Sequence, residues 1–227
     1  MKKCLIYIYL LLLTSLYCLQ AGAVSSEIRS LSVSDGLPDL VINTIYKDSK
    51  GYVWIGSNTS VERFDGIRLE HYMVEGSNET LKRVFALVEM PGNELWVGTG
   101  MGLFRLADDA EKLERLASEM ITSGVHAFCK LGDVLYVGTE KGLYVYKGGV
   151  FEHVLVDKNV FSRANFVTGM VEGENGILWL STMGGLKSLR LSDQAITSFS
   201  DIVAKNGQNL SFYNITRVGS KIFMGTM

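Results

Sequence analysis

Short runs in which apolar and polar residues alternate recur along the whole chain, separated by polar turns rich in Asp, Asn and Gly. The first complete set shows the grammar. Residues 41–47 alternate, Asp48-Ser49-Lys50-Gly51 turns the chain, and an aromatic segment follows over 52–57. A third run begins at Val61 and covers 61–64; Asp65-Gly66 then leads into a fourth over 67–72. Alternation with period two puts successive side chains on opposite faces of a sheet, and Asp-Gly supplies the positive φ that a tight hairpin needs. Four short antiparallel strands joined by tight turns make one propeller blade.

The same grammar recurs. The phrase Trp54-Ile55-Gly56-Ser57 returns as Trp96-Val97-Gly98-Thr99, Tyr136-Val137-Gly138-Thr139, Trp179-Leu180-Ser181-Thr182 and Phe223-Met224-Gly225-Thr226, at intervals of 42, 40, 43 and 44 residues. Periods of this size mark repeat architectures. The expected fold class is all-β: a β-propeller of four-stranded antiparallel blades, with about four blades and a truncated fifth in an incomplete ring. Its units fall near 35–74, 75–118, 119–157, 158–201 and 202–227. Trp54, Trp96, Tyr136, Trp179 and Phe223 share one register of one strand, which predicts a structural role as wedges between neighbouring blades. The small residue two places on (Gly56, Gly98, Gly138, Ser181, Gly225) gives room for close sheet packing. A second spacing, Thr-x-x-Gly at Thr99/Gly102, Thr139/Gly142 and Thr182/Gly185, predicts a turn that a side chain would obstruct; the first unit has Ser60 at that place.

The N-terminus has its own pattern. Lys2 and Lys3 precede an apolar run over 5–19 and the small residues Ala21-Gly22-Ala23, the layout of a secretory signal peptide over residues 1–23. The run is shorter than the roughly 20 residues that span a bilayer. Cleavage after Ala23 would remove Cys4 and Cys18 and leave Cys129 alone in an apolar strand, where a buried, inert thiol is expected. It would also move the formal net charge from −2 to −4. No basic stripe offers itself to nucleic acid, and no further segment is expected to insert in a membrane. The expected location is the periplasm.

Ser34-Asp35-Gly36-Leu37-Pro38, followed by 41–45 and then by the run from Asp48-Ser49-Lys50-Gly51 through Trp54-Ile55-Gly56-Ser57, resembles the two-component regulator propeller repeat. The resemblance extends over about 28–226 and is most specific in the first repeat. It implies the exported sensor region of a hybrid two-component system, in which two seven-bladed propellers precede an immunoglobulin-like domain, a membrane helix and a histidine kinase. It also implies that 28–34 form an outer strand closing the ring. The chain is accordingly expected to be the opening blades of such a sensor, with an open sheet edge at 222–226 through which it self-associates.

Chemistry is sparse. His71, His126 and His153 lie in different units without metal-ligand spacing, no phosphate loop or nucleophile elbow occurs, and no cofactor is expected. Asp108, Asp109 and Glu111 read as solvated connector charge. Propeller ligands commonly bind on the face built from the loops between second and third strands and from the connections between blades. Here those loops carry Asn58, Met101, Lys141 and Met183, and Arg83, Arg163 and Asn165 are the expected sugar or carboxylate contacts. The function expected is non-enzymatic sensing of an oligosaccharide. The alternatives are a stand-alone propeller hydrolase or lyase acting on glycans, and an inactive truncated product.

Overall fold

The computed structural model describes residues 30–74, 81–199 and 211–226. The expected signal peptide lies outside the described residues, and the blades all belong to one compact unit, Ser32–Met227. The fold is an all-β propeller arrangement. Its first blade is β1 (Ile42–Lys47), β2 (Val53–Ser57), β3 (Val61–Phe64) and β4 (Leu69–Val74); its second is β5 (Val84–Met90), β6 (Glu94–Thr99), β7 (Gly102–Leu106) and β8 (Lys112–Leu116). The third is β9 (Val125–Leu131), β10 (Val134–Thr139), β11 (Gly142–Lys147) and β12 (Val150–Val154). The fourth is β13 (Val167–Glu172), β14 (Ile177–Thr182), β15 (Gly185–Arg190) and β16 (Ile196–Phe199), and β17 (Phe212–Val218) pairs with β18 (Lys221–Thr226). Among the described residues no helix is long and apolar enough to cross a membrane.

The recurring phrase builds the packing between blades. Trp54, Trp96 and Tyr136 are buried, each in a cluster that draws on the following blade. Trp96 sits 4.8 Å from the Tyr146 ring and 5.9 Å from that of Phe151, both on the third blade. Trp179 is partly buried against Phe199 and the β17–β18 pair. Phe223 differs, being 52 % exposed, because no further sheet covers its face among the described residues.

The small residue of the phrase receives the next blade. A Cβ at Gly56 would lie 2.6 Å from Val84 Cγ1, at Gly98 2.8 Å from Val125 Cγ1, and at Gly138 2.8 Å from Val167 Cγ1. Those three valines open β5, β9 and β13 and are wholly buried. Each contributes about 1.5–3 kcal/mol by leaving water, and each can do so only because the facing position has no side chain. The last residue of the phrase clamps the loop beyond it. The hydroxyls of Thr99, Thr139 and Thr182 donate to the carbonyls of Gly102, Gly142 and Gly185 at 3.0, 2.8 and 2.6 Å. Those glycines have φ of +121°, +120° and +101°, the left-handed region that side chains disfavour.

Two features depart from the repeat grammar. The outer strands of blades one and two join: Met73 pairs with Lys112 and Val74 with Leu113 in parallel, fusing eight strands into one sheet. The junction uses the residues by which β4 outruns the expected end at Tyr72. Of the outer strand expected over 28–34, the described residues 30–34 form no strand. Residues 28 and 29 lie outside the described residues, 30–32 carry no strand, and Val33–Asp35 make a 3-10 turn. The Ser32 N–H and hydroxyl both donate to Asp35 Oδ2, at 2.9 and 2.8 Å, so local bonds satisfy groups that a strand would offer a neighbour.

Candidate functional site

Every inner strand carries one irregularity, at the same place. Ile42 pairs with Ser57 and Thr44 with Gly56, which leaves Asn43 as an extra residue in the ladder. The register slips identically around Phe85, His126, Thr168 and Tyr213. A β-bulge of this kind bends its strand and re-aims the inserted side chain. All five re-aimed side chains line a single concave space of about 620 Å³ at the centre of the blades. Arg83, Phe128, Phe166, Met170, Met183 and Asn214 also line it.

The wall mixes aromatic and aliphatic side chains with polar ones such as Asn43, Arg83, His126 and Asn214, and polar atoms make up the larger part of its surface. The His126 ring lies between two aromatic rings, with centroids 4.0 Å from Phe85 and 4.7 Å from Phe166. Its Nε2 lies 3.2 Å from Glu140 Oε1. The loops of the mouth interlock: the N–H of Arg83 donates to the Asn58 carbonyl at 2.6 Å, that of Glu140 to Gly124 at 3.2 Å, and that of Met183 to Phe166 at 3.0 Å. The mouth is therefore preformed by backbone bonds.

Burial lowers the pKa of His126 below the usual 6.5; the hydrogen bond and charge of Glu140 oppose the shift, and Arg83 adds to it. Between the folded and unfolded pKa values the unfolded chain binds more protons, so stability should fall as pH drops through about 6.5. Urea midpoints measured at pH 7.5 and 5.5 should separate further in the wild type than in His126→Gln. Equal separations would show that His126 is not held neutral by its surroundings.

Of the three residues expected to contact ligand, only Arg83 lines the cavity. Arg163 is exposed in a 3-10 turn, Arg163–Asn165, with Nη2 3.4 Å from Ser211 Oγ. Asn165 is 1 % exposed and spent on its own loop. Its Oδ1 accepts from the Asp157 N–H at 2.9 Å, and its Nδ2 donates to the Asp157 and Asn159 carbonyls at 3.1 and 2.9 Å. It is a loop staple: both Nδ2 hydrogens and one Oδ1 lone pair are spent on backbone partners, and the residue is buried outside the cavity lining. Asn58 holds Arg83, Lys141 Nζ donates to Thr122 Oγ1 at 3.3 Å, and Met101 does not reach the cavity. The half-buried Cys129 lies in the third interblade cluster, where burial pushes its thiol up to about 11.

Known proteins share this fold. Residues 36–59 match the family model described as two component regulator propeller. No curated protein matches the chain. Among solved structures, the chain is similar to the extracellular domain of BT4673 from B. thetaiotaomicron, described as a hybrid two component system. The TM-score is 0.72 at 22% identity, over 84% of this chain and 26% of that one. The corresponding domain of BT3049 from the same organism gives a TM-score of 0.69 at 20% identity, over 87% and 29%. Virginiamycin B lyase from Staphylococcus aureus gives 0.62 at 14% identity, over 84% and 64%. The chain thus spans about a quarter of the length of the BT4673 domain. Fold and motif agree: this chain is a β-propeller whose first blade carries the two component regulator propeller repeat.

Proposed function

We propose that the chain is part of an exported, periplasmic sensor propeller of a two-component regulator, and that the central cavity receives a saccharide without cleaving it. The repeated bulge is the observation that carries this reading. The same ladder position is broken in five successive inner strands, and a bulge re-aims the residue it inserts. Here each break delivers a side chain to one cavity, and the five residues delivered are chemically different. Phe85, Phe166 and Tyr213 offer flat apolar faces to a sugar ring; Asn43 and Asn214 offer donors and acceptors to its hydroxyls.

A glycan lyase or hydrolase is the competing reading, and the His126–Glu140 pair is what favours it. No carboxylate lines the cavity among the described residues, and Glu140 reaches it only through His126. Calorimetric titration of the purified chain with an oligosaccharide panel, with chromatography of each mixture, tests both readings. Binding without products is expected, weakened about tenfold or more by Phe85→Ala or Phe166→Ala, since aromatic stacking is a large share of such contacts. Products would overturn the non-catalytic reading, and no heat with any oligosaccharide would overturn the ligand.

A further inference from the structure

The cavity wall contains one permanent charge. Arg83 lines it, and no Asp, Glu or Lys does among the described residues. Four of the eight arginines among the described residues are in ion pairs, Arg63 with Glu70, Arg105 with Glu94 and Glu114, Arg190 with Asp193 and Arg217 with Glu174, and of the other four only Arg83 lines the cavity. Arg83 has no ion pair among the described residues. Its Nε donates to Asn58 Oδ1 at 3.3 Å, and Asn43 Nδ2 donates to the same oxygen at 3.1 Å. The Cζ lies 5.8 Å from the centroid of the Phe85 ring. One edge of the guanidinium is thus fixed by an amide and its plane sits near an aromatic wall. Both Nη atoms are left without a protein acceptor among the described residues.

The backbone that presents Arg83 is unusual. Lys82 and Arg83 are consecutive residues with φ of +47° and +70°, a conformation that long L side chains seldom adopt. Its neighbours hold it there. The Leu81 N–H donates to the Thr59 carbonyl at 3.1 Å, and the Gly100 N–H is shared between the carbonyls of Lys82 and Arg83 at 3.2 and 3.0 Å. A Cβ at position 100 would lie 2.3 Å from the Lys82 carbonyl oxygen, so only glycine lets the loops close on each other in this way.

An arginine held in strained backbone, oriented through Nε and left unneutralised beside an aromatic ring is suited to an oxyanion. We propose that this cavity selects acidic saccharides, with Arg83 taking the carboxylate or sulfate while Phe85 and its neighbours carry the ring. The inference rests on the saccharide reading and adds the ligand's charge.

Titration calorimetry of the purified chain with uronate tetramers, each beside its carboxyl-reduced counterpart, and with a sulfated tetramer of the same backbone tests it. At least one acidic tetramer should bind about tenfold or more tighter than its reduced counterpart. Arg83→Gln should abolish that preference, and Arg83→Lys should restore part of it. A preference for the sulfated over the uronate form would place sulfate as the anion; the reverse would place carboxylate. Equal binding of acidic and reduced tetramers, unaffected by Arg83→Gln, would overturn the charge assignment and leave the saccharide reading standing. No binding by any tetramer, acidic, reduced or sulfated, would overturn both.

Discussion

Replacing Trp96 by alanine should destabilise the chain by about 3–5 kcal/mol, the usual cost of emptying a large aromatic site in a packed core. Trp96 is 3 % exposed and its indole bridges two blades: its own strand β6 on one side, Tyr146 and Phe151 of the third blade on the other. The wall around it belongs to two sheets that are each held by their own ladders, so it cannot collapse inward to refill the space. The Nε1–H also loses its bond to Glu94 Oε2, at 3.2 Å. Phe223→Ala at the corresponding place should cost under about 1 kcal/mol, because a half-exposed ring gives up little buried area. Urea melts of the two variants beside the wild type check the contrast. A Trp96→Ala midpoint as close to wild type as that of Phe223→Ala would mean that the ring does not wedge the blades apart.

The contrast between these two aromatics also shows what the sequence could carry. Trp, Gly and Thr recur because they do one mechanical job in each blade: the aromatic fills the interblade space, the glycine admits the next valine and the threonine clamps the loop. Repeated jobs leave repeated letters. The bulged positions that line the cavity are Asn43, Phe85, His126, Thr168 and Tyr213, five residue types in five inner strands. No letter repeats there, and a bulge is a property of the register between two strands rather than of either strand alone. The cavity was therefore hidden from periodicity even though it is as periodic as the scaffold. Asn165 lies away from the cavity lining for a related reason. A polar residue on a long connector can serve the solvent, a ligand or the loop itself, and only the backbone path of 157–165 decides between them. The parallel pairing of β4 with β8 joins residues from different blades, a long-range contact that local alternation cannot report.

The glycine of the phrase offers the other large contrast, because one substitution should have opposite outcomes at two copies. Gly98→Ala should destabilise by about 1–3 kcal/mol, the usual cost of overpacking a filled core. Its Cβ would stand 2.8 Å from Val125 Cγ1 and 2.9 Å from the Val125 carbonyl oxygen, both closer than real contacts allow. A side chain can rotate away, but the carbonyl belongs to the backbone of β9 and moves only with its strand. Val125 is wholly buried, so relief there opens the seam between the second and third blades. Gly225→Ala meets Asn214 Cβ at 4.0 Å, an ordinary contact, and nothing nearer. Alanine in a strand also costs less backbone entropy than glycine, so this variant should be neutral or slightly more stable. Thermal midpoints of the two variants should therefore fall on opposite sides of, or at unequal distances from, the wild type. If both lie together, the glycine is serving the conformation of its own strand rather than the approach of its neighbour, and the interblade seam must be held by the aromatics alone.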